Sequence, residues 1–457
     1  MTVTERGKAA MGMCMSGIRK TQYFAVFFMG VVSLLIVLNV TPVMRFRYRS
    51  GFIILLSYSI SYLLTPLTCS LAKRLGVVDI PNERKVHARA TPLLGGVAMF
   101  IAFSLSTFLT FWYSNELKGV IEAATVVFII GLLDDMFGLS SIFRLLGQLI
   151  AVFILFFHGM EIEFIPDVTH LHLLKKAVTI IWIIGITNSV NFLDGLDGLC
   201  VGFGAISSMV VGMIAFLTHQ YFLMFLAFSL TGSCFGFLPW NFRRSEPAKI
   251  FMGSAGSFFI GFTLAAFSIM GDWAENRIVA LSVPVLILFL PIFDTSMTTF
   301  FRIRDGRVRS FREWLDYVGK DHLHHRIYAT GIGKRNAVFV LYMITLMLGL
   351  SAVIIRTGGT LEAYLSLIQA GTIMVFFVAI VVYVELKHGA VGAGTAVLPA
   401  PNRLLFPVGN LIPVHGRLRF SSLVVEIDHS NVRSPVIRQR RFADFPESGH
   451  DDTAPFA

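Results

Sequence analysis

Charged side chains are scarce in this sequence of 457 residues, because Asp, Glu, Lys and Arg together make up only 14% of it. A soluble globular protein carries about 25% charged residues. Hydrophobic residues make up 55%, and the mean hydropathy is +0.72. A surface that faces water cannot be built from this composition, which excludes a soluble globular protein, a disordered chain, a collagen and a coiled coil.

Cysteine is also scarce, with four residues and no C-x-x-C spacing. This excludes a disulfide-rich scaffold, and we expect the cysteines to pack as small hydrophobic side chains. Acidic residues are fewer than basic ones, 28 against 38, which gives a formal net charge of +10. In a membrane protein this excess indicates loops that face an anionic leaflet or a negatively charged substrate. We expect no nucleic-acid partner.

Long apolar runs fill most of the chain. Because a spanning helix needs about 20 apolar residues, the sequence predicts an all-α polytopic membrane protein with about 11–12 transmembrane helices and cytoplasmic active-site loops. The predicted spans are 23–43, 52–72, 93–113, 119–137, 145–160, 174–193, 199–218, 221–240, 254–272, 278–297, 336–355 and 364–384. We expect an N-terminal extension at 1–51 whose apolar run could be an extra span, a multi-span domain at 52–386, and a partly disordered cytoplasmic tail at 387–457 with one strand near 418–428.

The basic residues set the orientation. Loops on one side carry eighteen Lys and Arg residues, and loops on the other side carry eight. The positive-inside rule places the first set in the cytoplasm. These loops are 73–92, 138–144, 194–198, 241–253 and 298–335, and the polar clusters of the sequence fall in or beside them.

The first cluster, VVDIPNERKVHARATPLLGG, holds Lys85 and His87 and ends with Gly95 and Gly96 at a helix start, an arrangement that can bind phosphate. A basic loop with a turn is the alternative. The second cluster, GLLDDMFG, places Asp134 and Asp135 side by side at an apolar helix end. Like charges resist burial there unless a cation or base chemistry uses them, the alternative being a polar helix end.

The third cluster, NSVNFLDGLDGL, repeats a polar residue every three positions, so that the set could line one ridge of a helix end. Its members are Asn188, Asn191, Asp194 and Asp197. Amide and carboxylate oxygens suit Mg²⁺, which proteins usually bind through one or two carboxylates and a substrate phosphate. The alternative is a glycine-broken turn with satisfied side chains.

The fourth cluster, NFRRSEPAKIFMGSAGS, again places glycines at a helix start. The fifth, DHLHHRIYATGIGKR, has three histidines in four residues beside arginine, which could bind phosphate or a transition metal. Zinc ranks lower than Mg²⁺ because thiolate ligands are absent. Together the five clusters predict a cytoplasmic site for a metal and phosphate groups at the membrane surface.

In this order and spacing, these motifs, with PIFDT, resemble the polyprenyl-phosphate N-acetylhexosamine-1-phosphate transferases over roughly 52–386. The resemblance implies transfer of N-acetylhexosamine-1-phosphate, in the GlcNAc branch GlcNAc-1-phosphate, from a UDP-sugar to undecaprenyl phosphate, with release of UMP and with Mg²⁺ or Mn²⁺. It implies a multi-pass protein of the bacterial inner membrane that initiates cell-envelope polysaccharide synthesis. Its partners would be UDP-N-acetylhexosamine, undecaprenyl phosphate and the lipid bilayer, and a homodimer stays open.

The resemblance also assigns site residues. The implied catalytic residues are Asp134, Asp135, Asp194, Asp197, His324 and His325. The implied substrate-binding residues are Lys85, His87, Asn188, Phe251, His322 and Arg326. The implied metal ligands are Asn191, Asp194 and Asp197.

One position departs from the family pattern. The family motif is usually FMGD, whose aspartate is a principal metal ligand, and this chain has Ser254 there. A neighbouring carboxylate could take over, the metal could be weakly held, or the protein could be catalytically impaired. Two further alternatives remain: a transferase for another UDP-HexNAc donor, and a polytopic transporter, although a transporter would place its polar residues near the bilayer midplane.

Overall fold

The computed structural model describes residues 20–39, 46–81, 90–109, 114–165, 171–244, 246–310, 313–314, 317, 319, 321–394, 423–428 and 436–441. Helices dominate this part of the chain. They are α1 (Lys20–Asn39), α2 (Phe46–Leu75), α3 (Gly95–Phe108), α4 (Asn115–Phe137), α5 (Ser141–Phe157), α6 (His172–Phe192), α7 (Leu199–Leu217), α8 (Tyr221–Asn241), α9 (Gly253–Met270), α10 (Arg277–Ile287), α11 (Phe289–Arg304), α12 (Leu323–Ile327), α13 (Lys334–Ile355) and α14 (Thr360–Gly394). A π-helical turn, Tyr328–Ile332, follows α12, and short strands β1 (Val78–Asp79) and β2 (Thr91–Pro92) pair antiparallel before α3.

The chain is an all-α polytopic membrane protein, as the composition predicts. Within the described residues, seven helices are long and apolar enough to cross a membrane, and the bent pair α10–α11 makes eight. Three shorter apolar helices coincide with other predicted spans: 21–36, 95–108 and 141–157. The remaining predicted span lies in α4, which carries the acidic residues Glu122, Asp134 and Asp135 within its apolar sequence.

Helix α9 forms the centre of the bundle. It packs against α3, α4, α6 and α7, and 89% of its spanning segment is buried. Glycines allow this close approach, since a Cβ at Gly96 would meet the backbone of Gly256, and one at Gly131 would meet the backbone of Ala255 at 2.6 Å. Because lipid gives no hydrophobic drive between helices, small residues at such contacts are what lets these helices pack.

Helices α2 and α8 are joined by hydrogen bonds as well as by packing. The hydroxyls of Ser57 and Ser61 donate to the carbonyls of Ser229 and Ser233 at 2.6 and 2.7 Å. In lipid such hydrogen bonds contribute about 0.6 kcal/mol each on average. They therefore help to fix the register of α2 on the bundle.

The span predicted at 278–297 is broken in two. Helices α10 and α11 meet at Leu288 with a bend of 78°. Pro291 lies in the first turn of α11, where its missing N–H costs nothing and its fixed φ suits the start of a helix. Proline at this position favours a new helix that begins at Phe289 over a continuation of α10.

The chain divides into two compact units, Met1–Glu385 and Leu386–Ala457. In the second unit, strand β3 (Leu423–Asp428) pairs antiparallel with β4 (Val436–Arg441). The sequence predicted one strand over 418–428, and β3 occupies its second half. Its partner β4 was not predicted, because alternation over VIRQRR is interrupted by successive polar residues.

Candidate functional site

The first and fourth polar clusters form one backbone ladder at an end of the bundle. Phe251 donates its N–H to the carbonyl of Pro92 at 2.8 Å, and its own carbonyl accepts the N–H of Gly95 at 3.0 Å. The N–H of Gly96 donates to the carbonyl of Met252 at 2.9 Å. Both glycine N–H groups are used inside the protein, so the expectation that they point outward to a phosphate is wrong.

Asp135 joins the second cluster to the fourth. It lies in the last turn of α4, and its carboxylate accepts the N–H of Ser254 at 2.7 Å and that of Ala255 at 3.0 Å. These donors belong to the first turn of α9, where the helix dipole also favours negative charge. Gly253 has φ +72°, and a Cβ there would overlap the Asp135 carboxylate. Asp135 therefore caps α9 from a neighbouring helix.

Asp134 has different partners. Its carboxylate accepts the N–H of Leu139 at 3.0 Å and lies 3.6 Å from the guanidinium of Arg144 in the first turn of α5. The two adjacent carboxylates thus act in different places, Asp134 at the α4–α5 turn and Asp135 at the start of α9. Separate partners offset the repulsion that the sequence leads one to expect between them.

The third cluster does not continue one helix. Helix α6 ends at Phe192, so Asn188 and Asn191 lie on its last turns, and Asp194 and Asp197 lie in the following turn. We call residues 193–198 the acidic loop. The predicted helical ridge of four polar residues is therefore wrong beyond Asn191.

The two asparagines hold α6 to its neighbours. Asn188 donates to Gln148 on α5 at 2.7 Å and to the carbonyl of Ile184 at 2.8 Å. Asn191 donates through Nδ2 to the hydroxyl of Ser257 on α9 at 2.7 Å, so a metal bond would have to come from its Oδ1. The contacts of Asn188 are those of a residue that positions helices.

Asp194 stands apart from the other acidic residues. Removal from water, together with the negative charges of Asp135, Asp197 and Asp79, raises its pKa to about 7. No hydrogen bond or ion pair joins its carboxylate to any residue that the structure describes. A partly buried carboxylate among like charges is the arrangement that a bound cation would stabilise.

Asp197 borders a cleft of about 420 Å³. One carboxylate oxygen accepts the N–H of Ala248 at 3.2 Å, which fixes the side chain at the cleft wall. Four cations line the same cleft, together with Phe242, Glu246 and Pro247: Arg243, Arg244, Lys334 and Arg335. We call this the basic cleft. Its charge suits a ligand that carries several phosphate oxygens.

The fifth cluster is held by a network that joins α11 to residues 321–327, which we call the histidine segment. Asp294 accepts the N–H of Leu323 at 2.6 Å and lies 2.9 Å from Nδ1 of His322. Arg302 makes two hydrogen bonds to Asp321 at 2.8 and 2.6 Å and lies 3.4 Å from Nε2 of His322. Because Arg302 can only donate, this network assigns the proton of His322 to Nδ1, facing Asp294.

His324 is the exception in this segment. It is 1% exposed, and neither ring nitrogen has a hydrogen-bond partner among the described residues. Burial, with a smaller effect of the neighbouring His325, lowers its pKa to about 3. A Cβ at Gly195 would overlap its ring, so the acidic loop and the histidine segment are in contact. A neutral buried imidazole at this point has an unused donor and an unused acceptor.

The remaining predicted site residues are His325, Arg326, Phe251, Lys85 and His87. His325 packs 4.2 Å from the His324 ring, centroid to centroid, and Arg326 donates to the carbonyl of Asp321 at 2.9 Å. Phe251 takes part in the backbone ladder described above. Lys85 and His87 lie outside the described residues, so their roles stay predictions.

A divalent cation fits the acidic loop only in part. Among the described residues, no three His, Cys, Asp or Glu side chains lie close enough together to hold one ion. Asp194, Asp197 and Oδ1 of Asn191 would supply at most two carboxylates and an amide oxygen, and phosphate or water would have to complete the shell. Mg²⁺ in phosphate-transfer sites has this type of coordination.

Comparison with known proteins identifies the chain. The model of the family described as "Glycosyl transferase family 4" matches residues 117–272. A probable undecaprenyl-phosphate N-acetylglucosaminyl 1-phosphate transferase of Bacillus subtilis is 31% identical over 302 residues, which cover 65% of this chain and 82% of that protein. The chain belongs to glycosyl transferase family 4.

Two further relatives agree with this assignment to glycosyl transferase family 4. A decaprenyl-phosphate N-acetylglucosaminephosphotransferase of Mycobacterium leprae is 35% identical over 62% of this chain and 78% of its own. An undecaprenyl-phosphate alpha-N-acetylglucosaminyl 1-phosphate transferase of Thermotoga maritima is 32% identical over 64% and 86%. The chain is therefore a transferase, and the transporter interpretation has no support.

Two site residues of this glycosyl transferase family 4 protein escaped prediction. Asp294 holds His322 from α11, and Asn241 accepts the N–H of Gly198 at 2.7 Å at the end of the acidic loop. Asp294 lies in the motif PIFDT as a single acid within an apolar segment, and such an acid by itself predicts a functional residue. Asn241 ends an apolar helix and had no such signal.

Proposed function

We propose that the chain transfers GlcNAc-1-phosphate from UDP-GlcNAc to undecaprenyl phosphate, producing undecaprenyl-pyrophosphoryl-GlcNAc and UMP. This would initiate a cell-envelope polysaccharide. The observation that carries the proposal is the unpartnered carboxylate of Asp194 between like charges, in the same loop as Asp197, which borders a cleft lined by four cations. The relatives named above act on polyprenyl phosphates and N-acetylglucosamine phosphate.

The reaction needs charge neutralisation more than covalent chemistry. An oxygen of the lipid phosphate bonds to the sugar-bearing phosphorus of the donor, and the bond from that phosphorus to the bridging oxygen breaks, so that UMP leaves with the electron pair. Mg²⁺ or Mn²⁺ bound at the acidic loop would offset phosphate charge. Asp194, Asp197 and Oδ1 of Asn191 are the residues we propose to hold it.

The chain's own residues then bind and orient the two anionic substrates. The cations of the basic cleft would hold the donor's phosphate oxygens, and Arg244, which is exposed, is accessible from solution. Neutral His324, whose nitrogens are unused but buried against Gly195, would donate a hydrogen bond to a phosphate oxygen once substrate binding exposes its ring. Asp135 would keep the start of α9 in place and Asp134 would orient Arg144 near the lipid phosphate.

The site is proposed to face the cytoplasm at the bacterial inner membrane. A cysteine introduced by Ser310→Cys lies in an exposed part of the loop before the histidine segment. It should react in intact cells with a membrane-permeant thiol reagent and resist an impermeant one. Labelling by the impermeant reagent would overturn this orientation.

The transfer reaction is tested with the purified full chain in lipid. UDP-GlcNAc, undecaprenyl phosphate and Mg²⁺ should give UMP and a sugar-linked lipid in equal amounts, and omission of the lipid should stop both. Asp197→Asn, which removes charge and keeps shape, should abolish turnover while the protein still inserts. A panel of UDP-HexNAc donors identifies the sugar. Absence of UMP with every donor would refute the transferase activity.

A further inference from the structure

The end of the acidic loop is held from two other helices. Gly198 follows Asp197 directly, adopts φ +84° and precedes the first residue of α7. Its N–H donates to Oδ1 of Asn241 at the end of α8, at 2.7 Å. Its carbonyl accepts the hydroxyl proton of Tyr342 on α13, as well as the N–H of Gly202 at 2.9 Å.

Both partners of Gly198 are themselves fixed. Asn241 is 2% exposed, and its Nδ2 donates to the carbonyl of Ile250 at 3.1 Å, so the orientation of its amide is determined. Tyr342 is 9% exposed, and its ring meets the rings of Phe242 and Phe339 at centroid distances of 6.2 Å. The bonds to Gly198 therefore come from rigid groups.

A glycine in α7 makes room for the tyrosine. A Cβ at Gly202 would overlap the phenol ring of Tyr342, including its hydroxyl. Any larger residue at Gly202 would push the hydroxyl away from Gly198. The packing of α7 against α13 is thus adapted to one hydrogen bond at the end of the acidic loop.

We infer that Tyr342 and Asn241 are positioning residues that fix the backbone on both sides of Gly198 and thereby set the place of the Asp197 carboxylate. Two hydrogen bonds to one peptide segment remove the freedom that a glycine otherwise has. The function of this arrangement is to hold the acidic loop in its cation-binding geometry. The inference rests on the proposed function for the role of that cation.

The test uses Tyr342→Phe, which deletes one oxygen and keeps the ring. Its matched control is Thr345→Val, which deletes a buried hydroxyl on the same helix that donates to Leu341 within α13. Losing one such bond costs roughly 0.5–1.5 kcal/mol, which corresponds to about two- to tenfold in a binding constant. Amide hydrogen exchange of peptides that cover 193–202 should become faster in Tyr342→Phe and stay unchanged in Thr345→Val.

Cation affinity is measured without turnover, from the rise in melting temperature as Mg²⁺ or Mn²⁺ is added. Tyr342→Phe should need about two- to tenfold more cation for half of the rise. Gly202→Ala should reproduce both effects by displacing the hydroxyl. Exchange or affinity no different from the control would overturn the inference, as would faster exchange with unchanged affinity. A cation response in a wild-type protein that releases no UMP would refute the proposed function alone.

Discussion

The acidic loop and the histidine segment lie against each other, yet their carboxylates have opposite environments, since one is paired with a cation and the other is not. In the histidine segment, Asp321 loses water, which raises its pKa, but the two hydrogen bonds and the charge of Arg302 outweigh this, so its pKa lies below the usual value. In the acidic loop, burial and like charges raise the pKa of Asp194. The paired charges join elements of the structure, and the unpaired charge is where we propose that a ligand binds.

The largest effect is expected from Asp194→Asn, which removes the unpaired carboxylate of the acidic loop. If this carboxylate binds a cation for catalysis, turnover should fall by roughly a hundredfold or more. Stability should not fall, because the change also removes repulsion from Asp135 and Asp197. UMP release and melting temperature are measured together. Asp272→Asn is the matched control, since Asp272 is exposed in the turn after α9 and should leave both unchanged.

Asp294→Asn should do the reverse of Asp194→Asn and reduce stability strongly. The amide cannot accept the Nδ1 proton of His322 and the N–H of Leu323 as the carboxylate does, and breaking a buried pair costs about 3–5 kcal/mol. The free energy of unfolding is measured by denaturation in detergent. The control Asp305→Asn removes an exposed partner of Arg304 and should cost less than about 1 kcal/mol. Equal losses in the two variants would contradict the network.

The unpaired carboxylate also predicts a pH dependence in the absence of divalent cations. Folded Asp194 keeps its proton up to about pH 7, whereas the unfolded chain releases it near 3.8. The folded state then binds this proton between these values, so the contribution of Asp194 to the free energy of unfolding should decrease as pH rises from about 4 to 7. His324, whose pKa is lowered to about 3, acts in the opposite direction in both proteins, so the measured quantity is the melting temperature of the native protein minus that of Asp194→Asn, which should fall across this range. A rise of this difference would contradict the unpaired state.

A smaller effect is expected from Ser254→Asp, which adds a carboxylate at the start of α9 beside Asp135. The helix dipole stabilises the new carboxylate by about 0.3–1 kcal/mol. The carboxylate adds an oxygen ligand beside the proposed cation, and a gain of about 0.5–1 kcal/mol in cation binding would lower the cation concentration for half-maximal turnover about two- to fivefold. If the native protein lacks activity for want of this ligand, the change should produce activity. Ser254→Asn is the uncharged control. Loss of an activity that the native protein shows would mean that serine is an adapted part of the site.

The sequence predicted the polar clusters and their common side, because charges in apolar segments are conspicuous. It could not predict how they pair, since Asp135 meets Ser254 across 119 residues and Asn191 meets Ser257 across 66. The sequence wrongly predicted that the N–H groups of Gly95 and Gly96 are available to a phosphate, since these groups donate hydrogen bonds to another part of the chain. A three-residue period also misled beyond Asn191, because the helix ends before Asp194.

The bend at Leu288 sets the direction of the helix that holds the histidine segment, since α11 turns 78° away from α10. Phe300 and Ile303 are 63% and 60% exposed near its end, where Arg304 is also exposed, a pattern of a helix seated at the lipid–water boundary. If α10 crosses the membrane, this turn would seat the histidine segment at the level of the lipid headgroups. There, in the proposed reaction, a lipid phosphate and a water-soluble nucleotide sugar would meet while each stays in its own solvent.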